Sequence, residues 1–246
     1  SLVGSEMCIR DRSCTYKILS VFLLVVAVCP HRVVAQPVAT QPASQPGNTL
    51  PILLAELASD SATVRREARR LLLRMTRDDL VRLQRLIQAG EGRHPSQRQA
   101  LFDIVCHVFL ATEPYESIPD VSFFGISQYR PVTVGERAGL AFQGRLIGFP
   151  AYAALEEGDI LLAVVERPDV DFLGVQPLET VRRGFKPGET IHLRILRDDK
   201  VLTIPLTLVA SPTWSGRGIE QQSLREQQAA EHWERQFEPF FRDATD

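Results

Sequence analysis

The chain has 246 residues, of which 44 % are hydrophobic and 24 % charged, and its net charge is -2. That is the composition of an ordinary globular protein long enough for one or two small domains. The near-neutral balance excludes a chain built around whole-protein attraction to nucleic acid.

The first residues, Leu2-Val3-Gly4-Ser5-Glu6-Met7-Cys8-Ile9-Arg10-Asp11, have no hydrophobic period and no turn logic. They resemble the translated read-through of a transposase sequencing adapter. Residues 1–12 are therefore set aside as an assembly artefact of a metagenomic, bacterial reading frame. Residues 13–35 read as an export signal. Lys17 supplies the positive start, Ile18 to Val28 is an apolar run, and Pro30 breaks it. Val33-Val34-Ala35 then suits signal-peptidase cleavage, leaving Gln36 first. The run is shorter than the roughly 20 residues a spanning helix needs. The expected destination is the periplasm or the exterior, with the membrane met only in transit. Lipid anchoring at Cys29 is not expected, because Val28 precedes it where Gly, Ala or Ser is preferred. Of the four cysteines, only Cys106 then belongs to a folded region, which excludes an internal disulfide.

Residues 36–49 repeat proline among small and polar residues and read as a disordered linker. Residues 50–112 read as helical. Asp60 and Ser61 are N-cap types, and Val64, Ala68, Leu71, Leu72 and Met75 form one apolar stripe. Asp78-Asp79 open the next helix, favoured there by the macrodipole. Leu80, Leu83 and Ile87 line that helix, and Gly90 and Gly92 end it. Pro95 opens a last helix with Leu101, Ile104, Val105, Val108 and Phe109 inward. Arg65, Arg66, Arg69, Arg70 and Arg74 lack interleaved aromatics and read as a solvated face rather than a nucleic-acid surface. The Ser-Asp-Ser-x-x-Val-Arg-x-x-Ala-Arg-x-Leu-Leu pattern of residues 59–72 resembles a HEAT-type helical unit.

From Ser117 the period becomes strand-like. Val121, Phe123, Gly125 and Ile126 suggest a short strand, Gly144 to Phe149 a second, and Asp159 to Val165 a third. Ile191, Leu193 and Ile195 alternate with His192 and Arg194, as in a half-buried strand. Asp198-Asp199-Lys200 is a turn, and Val201 to Leu208 is its partner strand. Tyr129 to Gln143 reads as a long, charged, glycine-bearing connection. The tail, residues 219–243, is an amphipathic helix with Trp233, Phe237, Phe240 and Phe241 on one stripe. That stripe docks on the chain's own domains or makes a homo-oligomer.

Four motifs in order resemble PDZ domains of the bacterial HtrA-associated type. They are Phe123-Phe124-Gly125-Ile126, Pro150-Ala151 with Leu155-Glu156-Glu157-Gly158-Asp159-Ile160-Leu161, Leu178 to Phe185 with Lys186-Pro187-Gly188-Glu189, and Leu196-Arg197-Asp198-Asp199-Lys200. The resemblance covers residues 117–210, well over a third of the chain. Ala153-Ala154-Leu155 departs from the family by lacking a glycine, and the polar residue opening the second helix is Gln176, Pro177 or Leu178. The implied fold class is α+β: a small helical bundle, then a partly open β-barrel with two helices, then the C-terminal helix. The implied activity is binding of extended or C-terminal peptides by strand addition. Phe123, Phe124, Gly125 and Ile126 would form the carboxylate loop, with Ile126, Ser127 and Gln128 as the pairing strand. Leu178, Val181 and Arg182 would form the opposite wall.

No Gly-x-Ser-x-Gly or His-Glu-x-x-His motif occurs, and the helical region is too small for a protease scaffold. Cys106 and His107 are adjacent on a helix and face different ways, so no metal site is expected. The expectation is a binding protein without catalysis, cofactor or nucleic-acid partner. The alternative is an interaction scaffold whose helical region and aromatic tail make the contacts.

Overall fold

The computed structural model describes residues 49–173, 176–214 and 219–242. The adapter-like stretch, the export signal and all of the linker except Thr49 lie outside them. The chain is α+β. Four helices come first: α1 (Leu50–Glu56), α2 (Ala62–Leu72), α3 (Arg77–Gln88) and α4 (Pro95–Thr112). Strands β1 (Ser117–Phe123), β2 (Ile126–Val134) and β3 (Arg137–Arg145) follow, then α5 (Pro150–Ala154), β4 (Ile160–Val164) and α6 (Pro177–Arg183). Strands β5 (Thr190–Arg197), β6 (Lys200–Thr207) and β7 (Val209–Pro212) precede α7 (Ile219–Gln236) and α8 (Pro239–Arg242). No helix among the described residues is long and apolar enough to cross a membrane.

Local chemistry sets the helix boundaries. The Ser61 side chain accepts from Val64 N and opens α2. Asp79 accepts from the Thr76 amide at 3.0 Å, a reciprocal cap for α3. Arg93 donates to the carbonyls of Ile87 and Gln88 at 2.7 Å each and closes its C-terminal end. Pro95 occupies the first turn of α4, where a missing N–H costs nothing.

The predicted stripe on α2 is only half buried. Ala68 and Leu72 are at 0 % exposure, but Val64 and Leu71 remain at 36 % and 38 %. One side of the stripe meets its neighbours and the other side is open to solvent. Nor is the helical core made by α1–α4 alone. Ala229 and Trp233 of α7, Phe237 of the turn after it and Phe241 of α8 join Leu101, Ile104 and Val105 in it. The aromatic stripe is therefore buried within the chain. This is the first of the two expected placements, docking on the chain's own domains.

The strands form two antiparallel sheets and do not close into a barrel. One pairs β1 with β7; the other runs β2-β3-β4-β5-β6. The β5–β6 register pairs Ile191 with Leu206 and Ile195 with Leu202. Ile191, Leu193 and Ile195 point into a second core with Leu140, Phe142 and Leu161, while the residues between them face out. The turn residues Asp198 and Asp199 both have positive φ, as a two-residue hairpin of type I′ requires.

Three strand expectations are corrected. The short strand expected through Val121, Phe123, Gly125 and Ile126 is split, because β1 ends at Phe123, Gly125 turns the chain at φ 86 and β2 begins at Ile126. The connection at Tyr129 to Gln143 is a long hairpin: β2 and β3 pair from Val134↔Arg137 to Ile126↔Arg145 around Gly135-Glu136, with Gly135 at φ 61. The strand expected at Gly144 to Phe149 ends at Arg145, and the backbone then turns at Gly148 into α5.

Asp159 and Arg197 explain why two separated motifs belong together. The buried Asp159 carboxylate accepts from Arg197 Nε at 2.7 Å and Nη2 at 2.6 Å, and from Glu156 N at 2.8 Å. This bidentate pair ties the start of β4 to the end of β5.

His107 joins the helices to the sheet. It is 4 % exposed, and its Nδ1 accepts from Gly148 N at 3.0 Å, which requires an unprotonated Nδ1. Its ring stacks on Tyr152 at 5.1 Å. Burial, with Arg69 and Arg145 nearby, pushes its pKa down from 6.5 to about 4. The folded state thus disfavours the imidazolium. Its contribution is complete above pH 6.5 and declines as the pH falls toward 4, by about 3 kcal/mol in all. Urea midpoints of wild type and His107→Gln at pH 7 and pH 4.5 test this. The wild type should lose more of its midpoint between the two; equal losses would refute the assignment.

Candidate functional site

The sheet has an edge at β2, which among the described residues pairs with β3 alone. Its register shifts between Ile126 and Tyr129, a bulged start that turns the strand locally. Helix α6 rests on β1 and stands across from β2. Between them lies a cleft of about 230 Å³, lined by Phe123, Phe124, Ile126 and Tyr129 on one side and by Gln176, Leu178, Glu179 and Arg182 on the other.

The β1–β2 corner closes the head of the cleft. Phe124 O accepts from Ala151 N, and Gly125 O accepts from Leu146 N, both at 2.8 Å. The carbonyls are thus committed to the rear of the corner. Among the described residues no backbone carbonyl accepts from the amides of Phe124 or Gly125. Gly125 has φ 86, and a Cβ placed there would lie 2.2 Å from Phe149 Cβ. Only glycine can carry the chain this close to Phe149 in that conformation. Phe149 is 1 % exposed and meets Phe123 edge-on at 5.0 Å. On another side it lies 5.4 Å from the Arg225 guanidinium of α7, which also sits over Tyr115 and Trp214.

The α6 wall is held by a side-chain clamp. Ser122 Oγ donates to Arg182 O at 2.7 Å, and Arg182 Nε donates back to Ser122 O at 3.0 Å. Arg182 also donates to Ser211 Oγ at 2.9 Å, pairs with Glu179 at 3.0 Å and lies 5.3 Å from the Phe123 ring centre. Ser122 and Ser211 are fully buried. The clamp fixes the helix to β1 and β7 without drawing it onto β2, which leaves the cleft open. The charged side chains lining the cleft, Glu179 and Arg182, pair with each other, and the lining is about evenly polar and apolar.

The structure brings together Phe123, Phe124, Ile126, Leu178 and Arg182 on the cleft, with Gly125 behind them. Ser127 and Gln128 are exposed on the edge strand beside it. Val181 is 1 % exposed and packs in the sheet core instead of the cleft wall. Tyr129 and Glu179 were not anticipated as lining residues, and of the three candidates for the polar residue opening the second helix, Gln176 and Leu178 line the cleft. Tyr129 lay in the supposed connection, and the Gln176 backbone is left-handed (φ 52), which no pattern announces. Among the described residues no group of three His, Cys, Asp or Glu side chains could hold a metal ion.

No protein-family model matches the chain, and no curated protein matches it. Among solved structures it is similar to one described as "HtrA-type protease AlgW with decapeptide", at 19 % sequence identity and a TM-score of 0.33. The match covers 47 % of this chain and 35 % of that one, so the chain spans about a third of that protein's length. A likeness of this size leaves the reading of the cleft to its own geometry.

Proposed function

We propose that the chain is an exported, non-catalytic protein whose PDZ-like region binds extended or C-terminal peptides by strand addition along β2. The observation that carries this reading is the edge of β2, which among the described residues pairs with β3 alone, facing α6 across a mixed polar and apolar cleft. At the corner beside it are the amides of Phe124 and Gly125, from which no described backbone carbonyl accepts. An added strand takes its main-chain hydrogen bonds from such an edge. Backbone amides beside a glycine turn are suited to a carboxylate, and charge-assisted bonds of that kind are the strong ones. The ring of Phe124 with Ile126, Tyr129 and Leu178 suits an apolar terminal side chain. Absence of catalysis is consistent with Cys106 and His107. Burial pushes the thiol to about 12 and keeps the imidazole neutral within a structural hydrogen bond. The scaffold alternative loses its main surface, because Trp233, Phe237 and Phe241 are internal.

A library of peptides with free, randomised C-termini tests the proposal. Apolar termini should bind with micromolar dissociation constants, about -8 kcal/mol. C-terminal amidation should weaken them by about tenfold or more, since a charged hydrogen bond contributes about 1.5–3 kcal/mol. Ile126→Asp should abolish binding while leaving the unfolding transition cooperative. Absence of binders, or binders indifferent to amidation and to Ile126→Asp, would overturn it.

A further inference from the structure

The arginines of α2 do not form a uniformly solvated face. Arg66, Arg69 and Arg70 converge with Arg145, at the end of β3, on a cavity of about 270 Å³ between α2 and α5. Tyr152 and the α5 exit complete the lining, with Glu156 and Glu157 as its acidic members. Four guanidinium groups and two carboxylates line it, and Asp198, Asp103 and Glu67 reach three of the arginines from outside the lining.

The pairing inside the cavity is uneven. Arg66 is matched, to Asp198 at 2.8 Å and Glu156 at 3.4 Å. Arg69 reaches Asp103 only at 3.7 Å and donates to Tyr152 Oη at 3.3 Å. Arg70 is held by Glu67, one turn away on its own helix. Arg145 donates to the carbonyls of Tyr152 and Leu155 and forms no ion pair among the described residues. Arg69 and Arg145 both lie over the Tyr152 ring, at 5.5 and 5.4 Å. Burial holds the pKa of Arg145 below its usual value, and Arg69 adds to this. Burial and Arg70 do the same for Arg74. The cations crowd one another.

We propose that this cavity binds a multiply charged oxyanion of the phosphate class. Guanidinium forks arriving from two walls suit a tetrahedral group with three terminal oxygens better than a planar carboxylate. Tyr152 Oη accepts from Arg69, which leaves its own hydrogen to donate to the anion. At roughly 30 Å³ per water, the cavity has room for a phosphate group and part of its carrier. The anion draws Arg70 away from Glu67 and supplies the charge that Arg145 lacks.

Calorimetric titration of the full chain with inorganic phosphate and with pyrophosphate tests this, beside co-sedimentation with phosphatidylcholine vesicles containing phosphatidic acid. Pyrophosphate should bind with a dissociation constant on the order of 1 mM or tighter at low salt, and more weakly as salt screens it. Arg70→Gln should weaken binding by about tenfold, the scale of one charge-assisted hydrogen bond. Glu67→Gln should tighten it. Both positions are partly exposed, so each variant is expected to fold. Binding of soluble anions identifies a free ligand. Binding only to the vesicles, with the same response to both variants, identifies a lipid headgroup. No binding in any arm, or affinities that ignore both substitutions, would overturn the proposal.

Discussion

Replacing Trp233 by alanine is expected to destabilise the chain by about 3–5 kcal/mol, the range for removing a large aromatic from a packed interior. Trp233 is 2 % exposed. It meets Phe102 of α4 edge-on at 5.7 Å, stacks on Phe237 at 5.5 Å and lies 5.5 Å from Phe241. Its indole N–H donates to Glu238 at 2.9 Å, and Glu238 in turn pairs with Arg98 of α4 at 2.6 Å. Truncation therefore opens a cavity in the helical core and removes one partner of a largely buried carboxylate. Leu224→Ala, on the same helix but 55 % exposed, should change stability by no more than about 0.5 kcal/mol. Urea unfolding of both variants provides the comparison. A loss below about 1 kcal/mol for Trp233→Ala would mean that α7 does not complete the core.

Gly125→Ala is expected to cost about 3 kcal/mol and to disturb the cleft directly. Two separable effects add. A left-handed backbone costs an L-residue roughly 1–2 kcal/mol. The new Cβ, 2.2 Å from Phe149 Cβ, forces a shift of a fully buried ring, and overpacking of this kind costs about 1–3 kcal/mol. Gly158→Ala isolates the first effect, because Gly158 has φ 90 with nothing within 4 Å of its Cβ position. Thermal unfolding should show Gly125→Ala well below Gly158→Ala. Equal melting temperatures would remove the Phe149 contact from the account. The comparison also shows why bulky substitution at Gly125 is a poor probe of ligand binding: it breaks the corner before it blocks the cleft.

Much of this arrangement was legible in the residues. The β5–β6 hairpin follows from strict alternation at Ile191, Leu193 and Ile195, and the resemblance of the ordered motifs to PDZ domains implied that Phe124, Ile126, Leu178 and Arg182 lie near one another. The β2–β3 hairpin was not legible. Pro131 argues against a strand, and Ala138, Gly139, Ala141 and Gly144 have weak strand preference. Pro131 is tolerated because β2 is an edge strand. A helical period shows that Trp233, Phe237 and Phe241 share a face, but not which helix receives it. The same limit hid the cavity at α2: spacing along one helix cannot reveal Arg145, which arrives from a strand. Gly125 was read both within a short strand and as part of a carboxylate loop, and its closeness to Phe149 depends on a turn of backbone at Gly148 that carries no pattern of its own.

The helical core is discontinuous in sequence. Its halves, α1–α4 and α7–α8, are separated by the whole sheet region, which enters and leaves through the paired strands β1 and β7. At that neck Thr213 N donates to Glu116 O at 3.0 Å, and Tyr115 Oη donates to Ala210 O at 2.8 Å. During synthesis α4 therefore emerges with an uncovered apolar face and waits for Trp233 to be made. At roughly 5–20 residues per second, that delay is on the order of 10 s. For that interval a nascent chain carries the inner surface of α4 without the aromatic residues that cover it in the folded protein.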